Sequence, residues 1–275
     1  MKKINLFNFI RIIGFIFFLG ILLYPSFSDY LSRINSSQAI SSYKKEVKEI
    51  DEQTKARMLE EARAYNSSLI GNEELYDPFS NKKNTDSDYM KLLSTSQDGI
   101  MGFIQIPAID VKLPIYHTVK ESVLQKGIGH MEGTSLPTGD AGTHAVLSGH
   151  RGLPSSNLFT DLDKLKTGDI FYIEILGNTM AYQIDQIKTV LPTETKDIMI
   201  IDGEDHVTLV TCTPYSVNTH RLLVRGTRTD YEKAVEKVSN EVDNGLHIPF
   251  EVKVLLIVLS ILFILLFWIR RRKRA

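Results

Sequence analysis

Val207-Thr208-Leu209-Val210-Thr211-Cys212-Thr213-Pro214 reads as a β-strand that ends in the chain's one cysteine. β-Branched residues fill it, and such side chains suit a pleated, packed surface. A strand end is a rigid platform on which a nucleophile can be held. The run His220-Arg221-Leu222-Leu223-Val224-Arg225-Gly226 opens a second strand, with Arg221 near its head, nine residues beyond Cys212. If the two strands are neighbours, Arg221 lies beside Cys212.

Working outward, Ala145-Val146-Leu147-Ser148-Gly149-His150-Arg151-Gly152 is an apolar strand that runs into Gly-His. Glycines on either side let a histidine sit over a cleft with little crowding. More short, β-rich runs bounded by Pro and Asp begin at Gly99: residues 100–106, 111–116, 144–148, 170–176, 180–189, 206–211 and 221–228. Gly177-Asn178 predicts a tight hairpin turn. Short helical pieces fit 121–126 and 159–165. Many short strands at this spacing predict a mainly β domain, a barrel or sandwich, over residues 99–230.

The N-terminal side reads differently. Ile40, Tyr43, Val47 and Ile50, continued by Met58, Ala62 and Tyr65, form an apolar stripe at helical spacing. This predicts a helical extension that packs on the domain. From Asn72 to Gln97 polar residues dominate, with an Asp77-Pro78 turn signal. A stretch this long without periodicity suits a loop or lid, so residues 28–98 are read as a helical extension followed by a lid loop.

Both ends carry dense apolar runs. Ile4 to Tyr24 follows Lys2-Lys3 and is long enough for a ~30 Å hydrocarbon core. No small-x-small cleavage site follows it, so residues 1–27 are read as a cytosolic tip and retained signal anchor. Val254 to Ile269 has no charge and is followed at once by Arg270-Arg271-Arg272-Lys273-Arg274. That basic stop predicts a transmembrane helix and cytosolic tail over 252–275, joined to the domain by a charged linker at 231–251. With both termini cytosolic, everything between the two spans faces outward, so the chain is expected in the cell membrane.

Composition narrows the chemistry. A formal net charge of -1 gives no basic footprint for nucleic acid. One cysteine excludes an intramolecular disulfide and a cysteine-based zinc cage. The histidines form no ligand set, so no metal or cofactor is expected. What Cys212, His150 and Arg221 do supply is the set that acyl transfer needs. A thiolate attacks a carbonyl, an imidazole carries the proton to and from the amine, and a guanidinium meets the oxyanion through its planar fork of donors. An ordinary thiol and imidazole would both be mostly neutral at pH 7. Either the site lowers the thiol's pKa or a minority ion pair is the active form.

Thr208-Leu209-Val210-Thr211-Cys212, with Arg221 heading the next strand and Gly149-His150 upstream, resembles the sortase signature TLxTC and its catalytic-histidine segment. The resemblance covers about Gly99 to Arg228. It implies an eight-stranded sortase β-barrel with His150 as acid/base, Cys212 as nucleophile and Arg221 as stabiliser of negative charge. It also implies cleavage of an LPxTG-like signal between Thr and Gly and release of a thioester to an amine. Tyr76-Asp77-Pro78-Phe79-Ser80 resembles the lid of class C, pilin-polymerising sortases, and the C-terminal span fits that class. In that family the lid aspartate contacts the catalytic arginine and the aromatic residue covers the cysteine. For Asp77, Pro78 and Phe79 this implies an inhibitory lid, and for the partners it implies LPxTG-bearing pilins or surface proteins and a pilin lysine as acceptor. A housekeeping-type sortase, a papain-like cell-wall amidase and a non-enzymatic scaffold are the competing readings. The amidase is disfavoured because His150 precedes Cys212. Leu136-Pro137-Thr138-Gly139 looks like a sorting signal but lacks the x residue, and is read as a turn.

Overall fold

The computed structural model describes residues 6–71, 75–80, 86–95, 98–242 and 260, with the side chains of 6–13, 16 and 239–242 left out. The chain divides into two compact units, Met1–Ala234 and Val235–Ala275. In chain order the elements are α1 (Leu6–Glu49), α2 (Glu52–Ser68), β1 (Ile100–Ile106), β2 (Val111–His117), α3 (Glu121–Leu124), β3 (Ile128–His130), β4 (Thr143–Ser148), β5 (Ile170–Ile175), β6 (Asn178–Val190), β7 (Asp205–Thr213), β8 (His220–Thr229) and α4 (Tyr231–Val242). The eight strands close into a barrel in the order β1-β2-β3-β4-β7-β8-β6-β5. Closure leaves no unpaired sheet edge.

Apolar residues fill the barrel, and β4 and most of β7 are buried on both faces. Ile104, Ile106, Ile115, Phe171, Ile173, Val207, Leu209 and Val224 are all fully buried in the core. Two pairings are parallel, β2 with β3 and β4 with β7, and the others are antiparallel. The three-residue β3 has too few residues to show a period, and no sequence signal marks it. The hairpin between β5 and β6 lies one residue earlier than Gly177-Asn178 suggests. Ile175 pairs with Asn178, so Leu176 and Gly177 form the two-residue loop, both at positive φ (49° and 87°). This is the geometry that a two-residue hairpin loop demands. The helix expected at 159–165 shrinks to a 3₁₀ turn at Leu162–Lys164.

The apolar stripe of the N-terminal extension packs as expected: Ile40, Tyr43, Val47, Met58 and Ala62 join the main core. The Tyr43 hydroxyl donates to the Met101 carbonyl (2.9 Å) and accepts from the Leu176 amide (2.8 Å), pinning α1 to β1 and to the β5–β6 turn. Asp51 caps α2 by accepting from the Thr54 amide at 2.9 Å. Asn66 of α2 makes a two-way clasp with Leu136, donating to its carbonyl at 3.0 Å and accepting from its amide at 2.7 Å. Leu136 is fully buried, so the Leu136-Pro137-Thr138-Gly139 stretch is a structural turn. Further toward the N-terminus, Asp29 accepts from the Asn157 amide (2.7 Å) and Ser32 bonds Ser156 (2.7 Å), tying α1 to the loop that follows His150.

Among the described residues no helix is long and apolar enough to cross a membrane. The apolar run from Ile4 to Tyr24 falls mostly on α1, which continues without a break through Pro25 to Glu49. Beyond Pro25 its described surface carries Ser26, Ser28, Asp29, Ser32 and Arg33, which do not belong in hydrocarbon. The span expected at 252–269 lies outside the described residues. The stretch read as a linker is helical from Tyr231 to Val242.

Candidate active site

β7 sits between β4 and β8, and this order assembles the site. On the β8 side the register is antiparallel and pairs Cys212 directly with Arg221. Directly opposed residues of an antiparallel pair put their side chains on the same face, within contact reach. On the β4 side the pairing is parallel, with Ser148 opposite Val210. The two strands therefore run out of the barrel together, and His150 and Cys212, each two residues further on, emerge at the same end. The Gly149 amide donates to the Val210 carbonyl (3.1 Å) and the Thr211 hydroxyl donates to the Gly149 carbonyl (2.8 Å). Those bonds carry the β4–β7 tie up to His150. Thr208, the other threonine of the signature, bonds the buried His144 ring at 2.7 Å. Both threonines thus act in the scaffold beneath Cys212.

The lid residues close over this end. Asp77 receives two parallel hydrogen bonds from Arg221, Nε to Oδ1 at 2.8 Å and Nη2 to Oδ2 at 2.7 Å. This is the bidentate geometry that makes an arginine–carboxylate pair strong. Arg221 Nη1 donates to the carbonyls of Asn218 (3.1 Å) and His220 (3.0 Å), so the guanidinium is fixed on both edges. Asp77 is itself shaped by the turn, accepting from the Phe79 amide at 3.3 Å while its carbonyl accepts from the Ser80 amide at 2.9 Å. Pro78 is buried. Leu75, Tyr76 and Phe79 pack on a small apolar cluster of Met131, Val146, Val190, Ile198, Val210 and Leu223. The Phe79 ring lies 5.9 Å from the His150 ring, and the Arg221 guanidinium sits 5.2 Å over it. Phe79 thus packs against both His150 and Arg221, at the barrel end where Cys212 emerges.

Electrostatics at Cys212 follow from this arrangement. Burial pushes the thiol above its ordinary pKa, Arg221 pulls it down, and Asp77 pushes it up again. Among the described residues Cys212 is a free, half-buried thiol, and no group of three or more His, Cys, Asp or Glu side chains could hold a metal ion. His117, His130 and His144 serve the scaffold. Burial depresses His130 and His144 to about 4, and His117 faces the carbonyls of Gly99 and Leu92.

One neighbour of His150 has no motif to announce it. Both carboxylate oxygens of Glu121, the first residue of α3, lie 3.1–3.2 Å from His150 Nε2. In the sequence Glu121 is only the start of a short polar helix. The contact depends on the β2–β3 crossover, which no local pattern reveals.

The family model described as Sortase domain matches residues 104–229. Sortase C1 of pilus island 1 of group B streptococcus (Streptococcus agalactiae) is similar at 49% identity, with 71% of this chain and 93% of that one covered and a TM-score of 0.66. The sortase C of Streptococcus pneumoniae, whose structure is described as bearing on pilin substrate specificity, is 43% identical over 70% of this chain and 97% of that one, with a TM-score of 0.65. Sortase A of Listeria monocytogenes is 28% identical over 147 residues, which is 53% of this chain. The aligned part spans 64% of that protein, less than two thirds of its length.

Proposed function

The chain belongs to the sortase family of cysteine transpeptidases, and from that membership we propose that it is a class C enzyme that joins an LPxTG-bearing pilin to an amine, most specifically a pilin lysine. Sortases are membrane-associated cell-surface enzymes that act on LPxTG-type signals and amine acceptors. The proposal adds the class, the residue roles and the topology.

In this reading the Cys212 thiolate attacks the carbonyl carbon of the Thr–Gly bond. The carbonyl π electrons move to oxygen, and the Arg221 fork meets that charge. As the tetrahedral centre collapses, the C–N bond breaks and His150 gives its proton to the departing glycine amine. The acyl group is left as a thioester on Cys212. An incoming amine then attacks the thioester, His150 takes its proton, and the sulfur leaves as thiolate.

The observation that carries the proposal is the register. Cys212 is paired with Arg221 on one side, and its strand runs parallel with the strand that delivers His150 on the other. Asp77 on Arg221 favours the class C reading over a housekeeping one. With the lid in place the Arg221 edge needed for an oxyanion is occupied, and a carboxylate opposes thiolate formation. The lid is therefore an inhibitory cover that must leave before turnover.

The membrane topology is supported by the apolar runs at both ends and by the exposure of Phe17, Phe18, Ile21, Leu22, Tyr24 and Phe27 on α1. A row of exposed apolar side chains belongs against lipid or another apolar surface. In the proposed arrangement residues 1–27 and 252–275 are the anchors and 99–230 is the external catalytic domain.

The test is to incubate the protein with an LPxTG-like peptide, quench in acid and measure the intact mass. The expected result is an adduct of the peptide's N-terminal part on Cys212, resolved by added amine into a transfer product. Cleavage with no adduct, or transfer by Cys212→Ala, would overturn the reading.

A further inference from the structure

We propose that Glu121 is the positioning residue of His150, so that proton transfer runs through a Cys212–His150–Glu121 unit. The inference rests on the transpeptidase reading above and deepens it.

The fold places this carboxylate deliberately. β2 and β3 are parallel, with Ile115 opposite Ile128, so the chain must cross over between them. α3 lies in that crossover. β3 is antiparallel to β4, with Gly129 opposite Ser148, which brings the crossover beside the end of β4 and hence beside His150. The approach is tight. A Cβ on Gly129 would stand 2.2 Å from the Thr118 carbonyl oxygen, and Thr118 takes a positive φ of 68° just before α3. Gln125, one turn along, donates its side-chain amide to Glu121 Oε1. That hydrogen bond holds the Glu121 carboxyl below its ordinary range, against desolvation and with help from His150. Glu121 is thus an ionised acceptor at neutral pH.

Two consequences follow for the imidazole. A carboxylate only accepts, so the nitrogen facing it carries the hydrogen. In neutral His150 the proton therefore sits on Nε2, and Nδ1 holds the lone pair. Nδ1 becomes the atom that takes the proton from the thiol or the incoming amine and returns it to the leaving amine. When it does, the ring becomes a cation whose Nε2–H already points at a negative charge, so no group needs to reorient. Phe79 contacts the same ring at 5.9 Å when the lid is closed. Glu121 is what holds the ring once Phe79 has gone.

The experiment uses the full-length chain in detergent micelles with an LPxTG-like peptide and an amine acceptor. Glu121 is mostly exposed, at 63%, so Glu121→Ala should leave the melting temperature unchanged. We expect its kcat to fall about 10-fold with KM little changed, a part of the 10²–10⁴ that positioned proton transfer contributes. Glu121→Gln retains an acceptor without the charge and should recover part of the loss. In ¹⁵N NMR of the imidazole, His150 should be the Nε2–H tautomer in the parent and in Glu121→Gln, and a mixture in Glu121→Ala. A Glu121→Ala enzyme with parental kcat, or with an unchanged tautomer, overturns the inference. If Cys212→Ala also transfers peptide, the transpeptidase reading itself is what has failed. If Cys212→Ala is dead and Glu121→Ala is not impaired, only the role of Glu121 falls.

Discussion

Asp77 and Arg221 stand 144 residues apart in the chain and are joined by two parallel hydrogen bonds of 2.8 and 2.7 Å. The pair does two things to Cys212 at once. It engages the guanidinium that would otherwise favour a thiolate, and it adds a carboxylate that disfavours one. Removing the lid's grip should therefore lower the thiol's pKa. In Asp77→Ala plus Phe79→Ala, Cys212 should react faster with a thiol reagent at any pH below the parent thiol's midpoint, because more of it is thiolate. Alkylation rates measured from pH 6 to 9 would check this. Equal rates in parent and double variant would end the idea of an inhibitory lid.

Arg221 to lysine keeps the charge and loses the fork. A lysine cannot make the two-point contact with Asp77, nor reach the Asn218 and His220 carbonyls from a fixed plane. The substitution should release the lid and yet cost activity, with kcat falling about 10²-fold or more, as when one oxyanion donor is removed. Steady-state transfer rates and alkylation rates on the same sample would separate the two effects. Faster alkylation with slower transfer is the expected combination.

How much of this was legible in the sequence depends on how local the signal was. β7 and β8 could be read because each shows its own pattern and the nine-residue step from Cys212 to Arg221 suits adjacent strands. The register between them is what the structure adds. That His150 joins the pair depends on a parallel β4–β7 pairing across 62 residues, and no periodicity encodes that. β3 was missed because three residues give no alternation, and the β5–β6 turn was placed one residue late because Asn178 is a good turn former that here already belongs to β6. The family lid motif points to Phe79 as a cover for Cys212, and the structure adds that its ring packs near the His150 ring and under the Arg221 guanidinium. Glu121 left no trace at all, since an exposed glutamate at the start of a short helix is what most solvated helices show.

Gly149 connects the scaffold to the catalytic side chain. A Cβ there would meet Ile128 Cδ1 at 2.7 Å and the Phe159 ring at 2.8–2.9 Å. The ring is fully buried and cannot swing away. Gly149→Ala should therefore cost about 1–3 kcal/mol in stability, the usual range for overpacking. It should also displace the next residue, His150, and lower kcat more than KM. Thermal melts with transfer assays at a temperature well below the transition would check both effects, and a variant with parental kcat would show that His150 is positioned independently of this packing.

Asp205 gives a pH signature that has nothing to do with catalysis. It is buried at the opposite end of β7 from Cys212, where Thr143 and Tyr182 donate to it at 3.1 Å each. Burial raises its carboxyl from 3.8 to about 6, while Thr143, Tyr182 and Arg228 pull the other way. Because the folded pKa is above the unfolded one, the neutral acid is the form the fold prefers. The stability tied to it is complete below the unfolded pKa and is lost as pH rises through about 6. A shift of that size corresponds to about 3 kcal/mol. His130 and His144, both depressed to about 4, lose stability in the opposite direction as pH falls from 6.5, so the parent's own curve mixes the two trends. Asp205→Asn isolates the acid, because the histidines act alike in both proteins and cancel in the difference. The variant should gain on the parent from pH 4 to pH 7 by about 2 kcal/mol, mostly below pH 6, as read from denaturant melts at each pH. A difference that stays flat across that range would mean that Asp205 is ionised in the folded protein throughout, held so by Arg228 and its two hydroxyl donors.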